Sequence, residues 1–164
     1  MSDTIRRAKP GDICLVTALT NGRRKIFADE SNVKILLQTL HEVRSVEKCD
    51  IFSYIILPDH LHIIMRSFAC LPADMLGLLQ RSFALNWKRQ SHHGRTINAR
   101  SFWQREFWEN IIFGKRDLIA HINYIYHNPV KHGYVDDPED WPYSSFAEQA
   151  KNNEMEMSTA GAVI

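Results

Sequence analysis

His60 and His62 flank a single apolar residue in the stretch Tyr54-Ile-Ile-Leu-Pro-Asp-His-Leu-His-Ile-Ile-Met65. In a strand, side chains two apart share a face. Two imidazoles side by side on a sheet make half of a metal site. Alone they suit zinc or another transition metal; with oxygen ligands and open positions for phosphate they also suit Mn²⁺, and Mg²⁺ less naturally. The plain alternative is a pair of strand histidines, one half buried and hydrogen-bonded. A second candidate group lies in His121-Ile-Asn-Tyr-Ile-Tyr-His-Asn-Pro129. At helical spacing Leu118, Ile122 and Ile125 form an apolar stripe, with Ile119 and Tyr126 at its edge. Tyr124 falls off that stripe with Asn128 one turn on, and Pro129 ends the helix. A phenol and a carboxamide therefore sit together near a helix end. The plain alternative is a surface tyrosine.

These groups need elements to hold them. Cys14–Leu19 reads as a first strand ending at the Asn21-Gly22 turn. Val33, Leu36, Leu37, Leu40 and Val43 recur at helical spacing, with Ser31 or Asn32 as cap. Strands at about 51–57 and 60–66 flank a Pro58-Asp59 turn. A second helix spans about 75–89, with Met75, Leu78, Leu79, Phe83 and Trp87 as its apolar set. Arg105–Ile112 reads as a fourth strand, followed by the tyrosine helix. The order predicts an α+β fold, the split βαββαβ antiparallel sheet of ferredoxin-like domains, with the tyrosine helix added.

The formal charge of +1 conceals an asymmetry. Residues 1–135 hold 19 Lys and Arg against 12 Asp and Glu, a net +7; residues 136–164 hold one Lys and seven acids, a net −6. A basic body with an acidic end points to a polyanionic partner, and the acidic end reads as a solvated tail or as a competitor for the basic face. Arg6, Arg7, Arg81, Lys88, Arg89, Arg95, Arg105 and Lys131 are the candidate phosphate contacts. Trp103, beside Gln104 and Arg105, is the candidate base-stacking aromatic, while Trp87 and Trp108 are assigned to the core. Three separated cysteines without a CxxC pair suit a reduced cytoplasmic protein. The first residues lack an apolar signal core, and no apolar run is long enough to span a bilayer, so no membrane partner is expected.

Four segments sharpen this reading: YIILPDHLHIIM (54–65), FWQREFWENII (102–112), YIYHNPVKHGYV (124–135) and DWPYSSF (140–146). In this order they resemble the HUH single-tyrosine transposases, most closely the REP-associated tyrosine transposase branch, from about Ile13 to Phe146. The resemblance implies a ferredoxin-like fold with the HxH strand central and the tyrosine helix against the same face. It implies that Tyr124 is the nucleophile, that His60, His62 and Asn128 bind Mg²⁺ or Mn²⁺, and that a 5′-phosphotyrosine forms during nicking and rejoining of single-stranded DNA beside a hairpin. His121, His127 and Lys131 are the candidates for a base or positive partner of Tyr124. The expected units are a transposase domain over 1–146 and a flexible acidic tail over 147–164. The wider family forms dimers, so monomer and homodimer are both open. Two alternatives carry different tests: a non-catalytic nucleic-acid-binding module on the same fold, and a protein in which the histidines close a structural zinc site.

Overall fold

A computed structural model describes residues 7–47, 49–91 and 98–160, the side chains of 47, 91 and 153–160 aside. Arg6 and Arg95 lie outside the described residues. The elements run β1 (Ile13–Thr20), α1 (Glu30–Glu47), β2 (Asp50–Leu57), β3 (His60–Arg66), α2 (Pro72–Ser91), α3 (Ala99–Phe102), β4 (Trp103–Ile112), α4 (Gly114–Tyr126), α5 (Asn128–Lys131) and α6 (Ser145–Ala160). The four strands form one antiparallel sheet in the order β2-β3-β1-β4, the split βαββαβ arrangement the sequence predicts.

The chain closes β2 onto β3 in two residues, Pro58 and Asp59, because Leu57 pairs directly with His60. That tight turn is held from outside: Thr20 N–H donates to the Asp59 carbonyl at 3.0 Å and Phe27 N–H to the Pro58 carbonyl at 3.0 Å. β3 is therefore central, and six of its seven residues are buried.

Strand alternation splits the core in two. One face carries Cys14, Val16, Ala18, Leu61, Ile63 and Met65, packed against α1 and α2 through Val33, Leu36, Leu40, Leu79 and Phe83. The other carries Leu15, Ile55, Leu57, Ile64 and Ile112, covered by Leu118, Ile122 and Ile125 of α4. The apolar stripe read from the sequence thus docks α4 on the face that holds His60 and His62. The α1 cap differs from expectation. Asp29 accepts from Ser31 N–H at 2.9 Å and its carbonyl receives Val33 N–H, so the helix begins at Glu30, ahead of either expected cap.

Trp103 and Trp108 exchange the roles expected of them. On β4, Phe107 pairs with Ala18 but Trp103 pairs with Thr20, so four steps on one strand match two on the other. Both spans are even, so the face is kept: Trp103 stays on the α1–α2 side with Ala18, is 2% exposed and packs on Phe27 and Phe83. A buried indole cannot stack on DNA bases, so Trp103 is a core residue. Trp108, paired with Thr17, points to the α4 face and is 54% exposed. Trp87 is half buried against the α1–α2 core and donates Nε1–H to Asn32, as a core-edge residue should. Trp103→Ala is expected to cost about 3–5 kcal/mol in denaturant unfolding, whereas Trp108→Ala should shift it by less than about 0.5 kcal/mol.

The segment 140–146 seals the outer edge of β2. Ile56 N–H donates to the Tyr143 carbonyl at 2.9 Å, Ile55 bridges Ser144, and Trp141 Nε1–H reaches the Ile56 carbonyl at 3.0 Å. α6 continues from there, so a boundary after Phe146 falls inside a helix. Glu148 in its first turn accepts from Tyr54 Oη–H at 2.9 Å and pairs with His41 at 3.0 Å. Tyr54 and α1 belong to the face opposite α4, so Glu148 is held away from Tyr124. No helix among the described residues is long and apolar enough to cross a membrane.

Candidate active site

The β3 histidines stand where their spacing puts them: side by side on one face, with ring centroids 5.0 Å apart. Both are almost fully buried, and each ring has one nitrogen engaged. His60 Nδ1 lies 2.7 Å from Asp59 Oδ1, and Asp59 Oδ2 accepts from Arg23 Nε at 2.9 Å. His62 Nδ1 lies 2.7 Å from Thr17 Oγ1, its cross-strand neighbour. In both rings Nε2 is the nitrogen left for a ligand.

Burial pulls His62 down to about 3, aided by positive charge at His60, His132 and Lys131. Burial also lowers His60, although Asp59 opposes it. Asp59 is pushed up by its own burial, but His60 and Arg23 outweigh that and hold it below the usual carboxylate range. At neutral pH the site therefore presents two neutral imidazoles, the form that binds metal, and an ionised Asp59 that accepts the His60 proton.

α4 brings in the tyrosine. The Tyr124 ring stands edge-on to His62 at 5.7 Å between centroids and is 42% exposed. His127 breaks the helix, Pro129 cannot donate, and α5 restarts at Asn128. Asn128 is 1% exposed, yet neither its Nδ2 nor its Oδ1 has a hydrogen-bond partner in the protein. A buried amide without protein partners is rare, and it leaves both polar atoms of Asn128 open to a ligand or to water.

The structure adds residues that the sequence reading did not single out. His132 stacks edge-on against His60 at 5.1 Å. Its signal was the spacing of four along Tyr124, Asn128 and His132. Thr17, Asp59 and Arg23 hold the histidines from neighbouring segments that carry no motif of their own. Among the described residues no group of three or more His, Cys, Asp or Glu is arranged to hold a metal. The structural-zinc alternative accordingly has no ligand set there, and the oxygen of Asn128 becomes the third donor to consider.

Three candidates surrounded Tyr124 in sequence, and two stay beside it. Lys131 places Nζ 5.3 Å from the Tyr124 ring centroid. His121 lines the same cleft as Tyr124, with Nδ1 held by Asp117. His127 turns to Tyr126 instead, at 5.0 Å between rings. Tyr126 packs on Phe146 at 4.5 Å, away from the histidines. Of the candidate phosphate contacts among the described residues, only Lys131 reaches the site. Arg81, Lys88 and Arg89 are exposed on α2, across the sheet from Tyr124. Arg7 is exposed ahead of β1, and Arg105 lines a separate groove with Asn21 and Arg100.

The family described as Transposase IS200 like matches residues 14–128, which spans all four strands, α4 and Asn128. A protein of Haemophilus influenzae assigned to the REP-associated tyrosine transposases is 32% identical, over 92% of this chain and 89% of its own length. The chain belongs to the IS200-like transposases, in the REP-associated tyrosine branch. The REP-associated tyrosine transposase of Escherichia coli K12 is 30% identical, over 84% of this chain and 78% of its own. A solved REP-associated tyrosine transposase bound to a REP hairpin superposes with a TM-score of 0.72 at 25% identity, covering 93% of this chain and 87% of that one. The four-stranded sheet with α4 on one face is thus the transposase fold, and the protein is an enzyme of a family that acts on DNA.

Proposed function

We propose that this transposase nicks and rejoins single-stranded DNA flanking a hairpin, through a covalent bond between Tyr124 and the 5′ end of the cut strand. The observation that carries this is the edge-on contact of the half-exposed Tyr124 ring with His62 of the buried, neutral His60–His62 pair, with the buried, unpartnered amide of Asn128 four residues on from Tyr124. The hairpin is the ligand of the solved relative, and the basic body of this chain suits the same polyanion.

The residues fit a divalent cation. Two neutral imidazoles offer Nε2, and Asn128 Oδ1 is a buried oxygen with no other partner. His60, His62 and Asn128 would hold Mg²⁺ or Mn²⁺, which when bound polarises the scissile phosphate. Asp59 takes the Nδ1 proton of His60 and fixes its tautomer; Thr17 does the same for His62 by accepting from Nδ1.

The remaining work falls to α4. The Tyr124 oxygen attacks phosphorus and forms the new O–P bond, while the bond to the 3′ oxygen breaks. The leaving strand keeps that electron pair and takes up a proton as a free 3′ hydroxyl. The phenolic proton passes to a base in the cleft, for which His121 is placed. Lys131 puts positive charge beside the ring, toward the phosphate that Tyr124 attacks. Because the phosphotyrosine conserves the ester, a second 3′ hydroxyl can reverse the step and join a new strand. No nucleotide cofactor is consumed.

The test is direct. The protein, Mn²⁺ and a hairpin oligonucleotide with a single-stranded flank, labelled on either side of the cut, should give a denaturant-resistant protein–DNA band carrying only the label on the 3′ side of the cut. The other product should carry a free 3′ hydroxyl. Cleavage without a protein-linked product would assign the attack to water. Binding without cleavage under any divalent cation would leave a non-catalytic DNA-binding module.

A further inference from the structure

A cleft opens beside Tyr124, between α4 and the β1–β4 half of the sheet. Leu15, Thr17, Asn110, Ala120, His121 and Tyr124 line it. On β4, Asn110 lines it, and Trp108 stands on the same strand face two residues before, beside the lining residue Thr17 at the rim, since the two pair with Leu15 and Thr17. Most residues on this face are buried under α4, but the edge strand runs past the helix, and there Trp108 is left 54% exposed. Asn110 is also exposed, one side chain further along. An open indole face and a free carboxamide about 7 Å apart along a strand are what an unpaired nucleobase uses. The indole stacks on the base, and the carboxamide offers a donor and an acceptor to its edge, a pattern that pairs best with adenine.

We propose that this cleft is a subsite for one unpaired DNA base next to the scissile phosphate, with Trp108 as its stacking platform and Asn110 reading its edge. The inference rests on Tyr124 as the cleaving residue, because that places the cleft beside the reacting phosphate. Thr17 links the two: its hydroxyl contacts His62, while its cross-strand neighbour is Trp108. Position and charge favour DNA as the occupant. The cleft is continuous with the exposed ring of Tyr124, over which Lys131 lies.

Binding can be separated from chemistry by leaving out divalent metal. The full chain and its Trp108→Ala, Trp108→Phe and Asn110→Ala variants are titrated with a hairpin oligonucleotide. 2-Aminopurine replaces each base of the single-stranded flank in turn. One flank position should be quenched on binding the unaltered protein and stay bright with Trp108→Ala. That variant should bind the flanked hairpin about tenfold or more weakly, and the bare hairpin unchanged. Trp108→Phe should restore part of the quenching. Asn110→Ala should keep the quenching but lose the preference for adenine at that position. Equal affinity and unchanged fluorescence in Trp108→Ala would overturn the subsite. So would an equal loss for the bare hairpin. If Trp108→Ala changes the sedimentation of the protein alone, the face is covered by a second copy, and the proposal also fails. These readings stand even if the covalent adduct is never observed.

Discussion

Tyr124→Phe should abolish cleavage and the covalent adduct while leaving the fold and DNA binding in place. The variant removes one oxygen and keeps the ring. That ring packs edge-on to His62 and under Lys131, and both contacts need only the aromatic face. With 42% of the residue exposed, no buried partner is left unsatisfied, so unfolding should shift by less than about 0.5 kcal/mol. The cleavage rate should fall by about 10³-fold or more, because nothing else nearby can form the ester. Tyr126→Phe is the control within the same helix turn. Its ring packs on Phe146 and its hydroxyl faces Glu139 at 3.5 Å, so cleavage should persist. Mass spectrometry of the trapped adduct locates the ester. An adduct on Tyr126, or undiminished cleavage by Tyr124→Phe, would remove Tyr124 from the mechanism.

The same helix shows how much of the site could be read from the chain. Leu118, Ile122 and Ile125 fixed the buried face of α4 by spacing alone, and from that the exposure of Tyr124 followed. The alternation of β3 placed His60 and His62 together. Periodicity succeeds in these places because each element is regular. On β4 alternation separates Trp103 from Trp108, but it does not say which of the two is covered. Phe27 and Phe83, from distant segments, bury Trp103, while Trp108 on the other face of this edge strand stays 54% exposed, and no residue in 103–108 carries a sign of either. The braces on the histidines were hidden for another reason. Asp59 is local, but Arg23 and Thr17 come from β1 and the segment after it, and only strand order brings them to β3. α6 illustrates a third case. Its composition reads as a solvated acidic tail, yet Tyr54 and His41, roughly a hundred residues earlier, capture Glu148 and start a helix on the sheet edge.

Loss of either site histidine should separate metal binding from folding. His60→Ala and His62→Ala each remove one of two neutral imidazoles, leaving one imidazole and the weak amide oxygen of Asn128 to hold a divalent cation. Mn²⁺ affinity measured by calorimetry should fall below detection in either variant. Cleavage should drop by about 10²–10³-fold, the share expected when several kcal/mol of charge stabilisation is withdrawn. Stability should change far less. His62→Ala strands the Thr17 hydroxyl and should cost about 1–2 kcal/mol, because the hydrogen bond is lost in a buried place. Asp59→Ala supplies the intermediate case. It keeps both imidazoles but frees the Nδ1 of His60 and leaves Arg23 without its carboxylate. Mn²⁺ affinity should then weaken by about 10–100-fold without being lost. The order matters more than any single value: unaltered protein first, Asp59→Ala second, the two histidine variants last. Full cleavage by His60→Ala or His62→Ala would show that the pair is structural. Unfolding of the metal-free protein under chelator would say the same, since a site built only for chemistry leaves the two-layered core intact when it is empty.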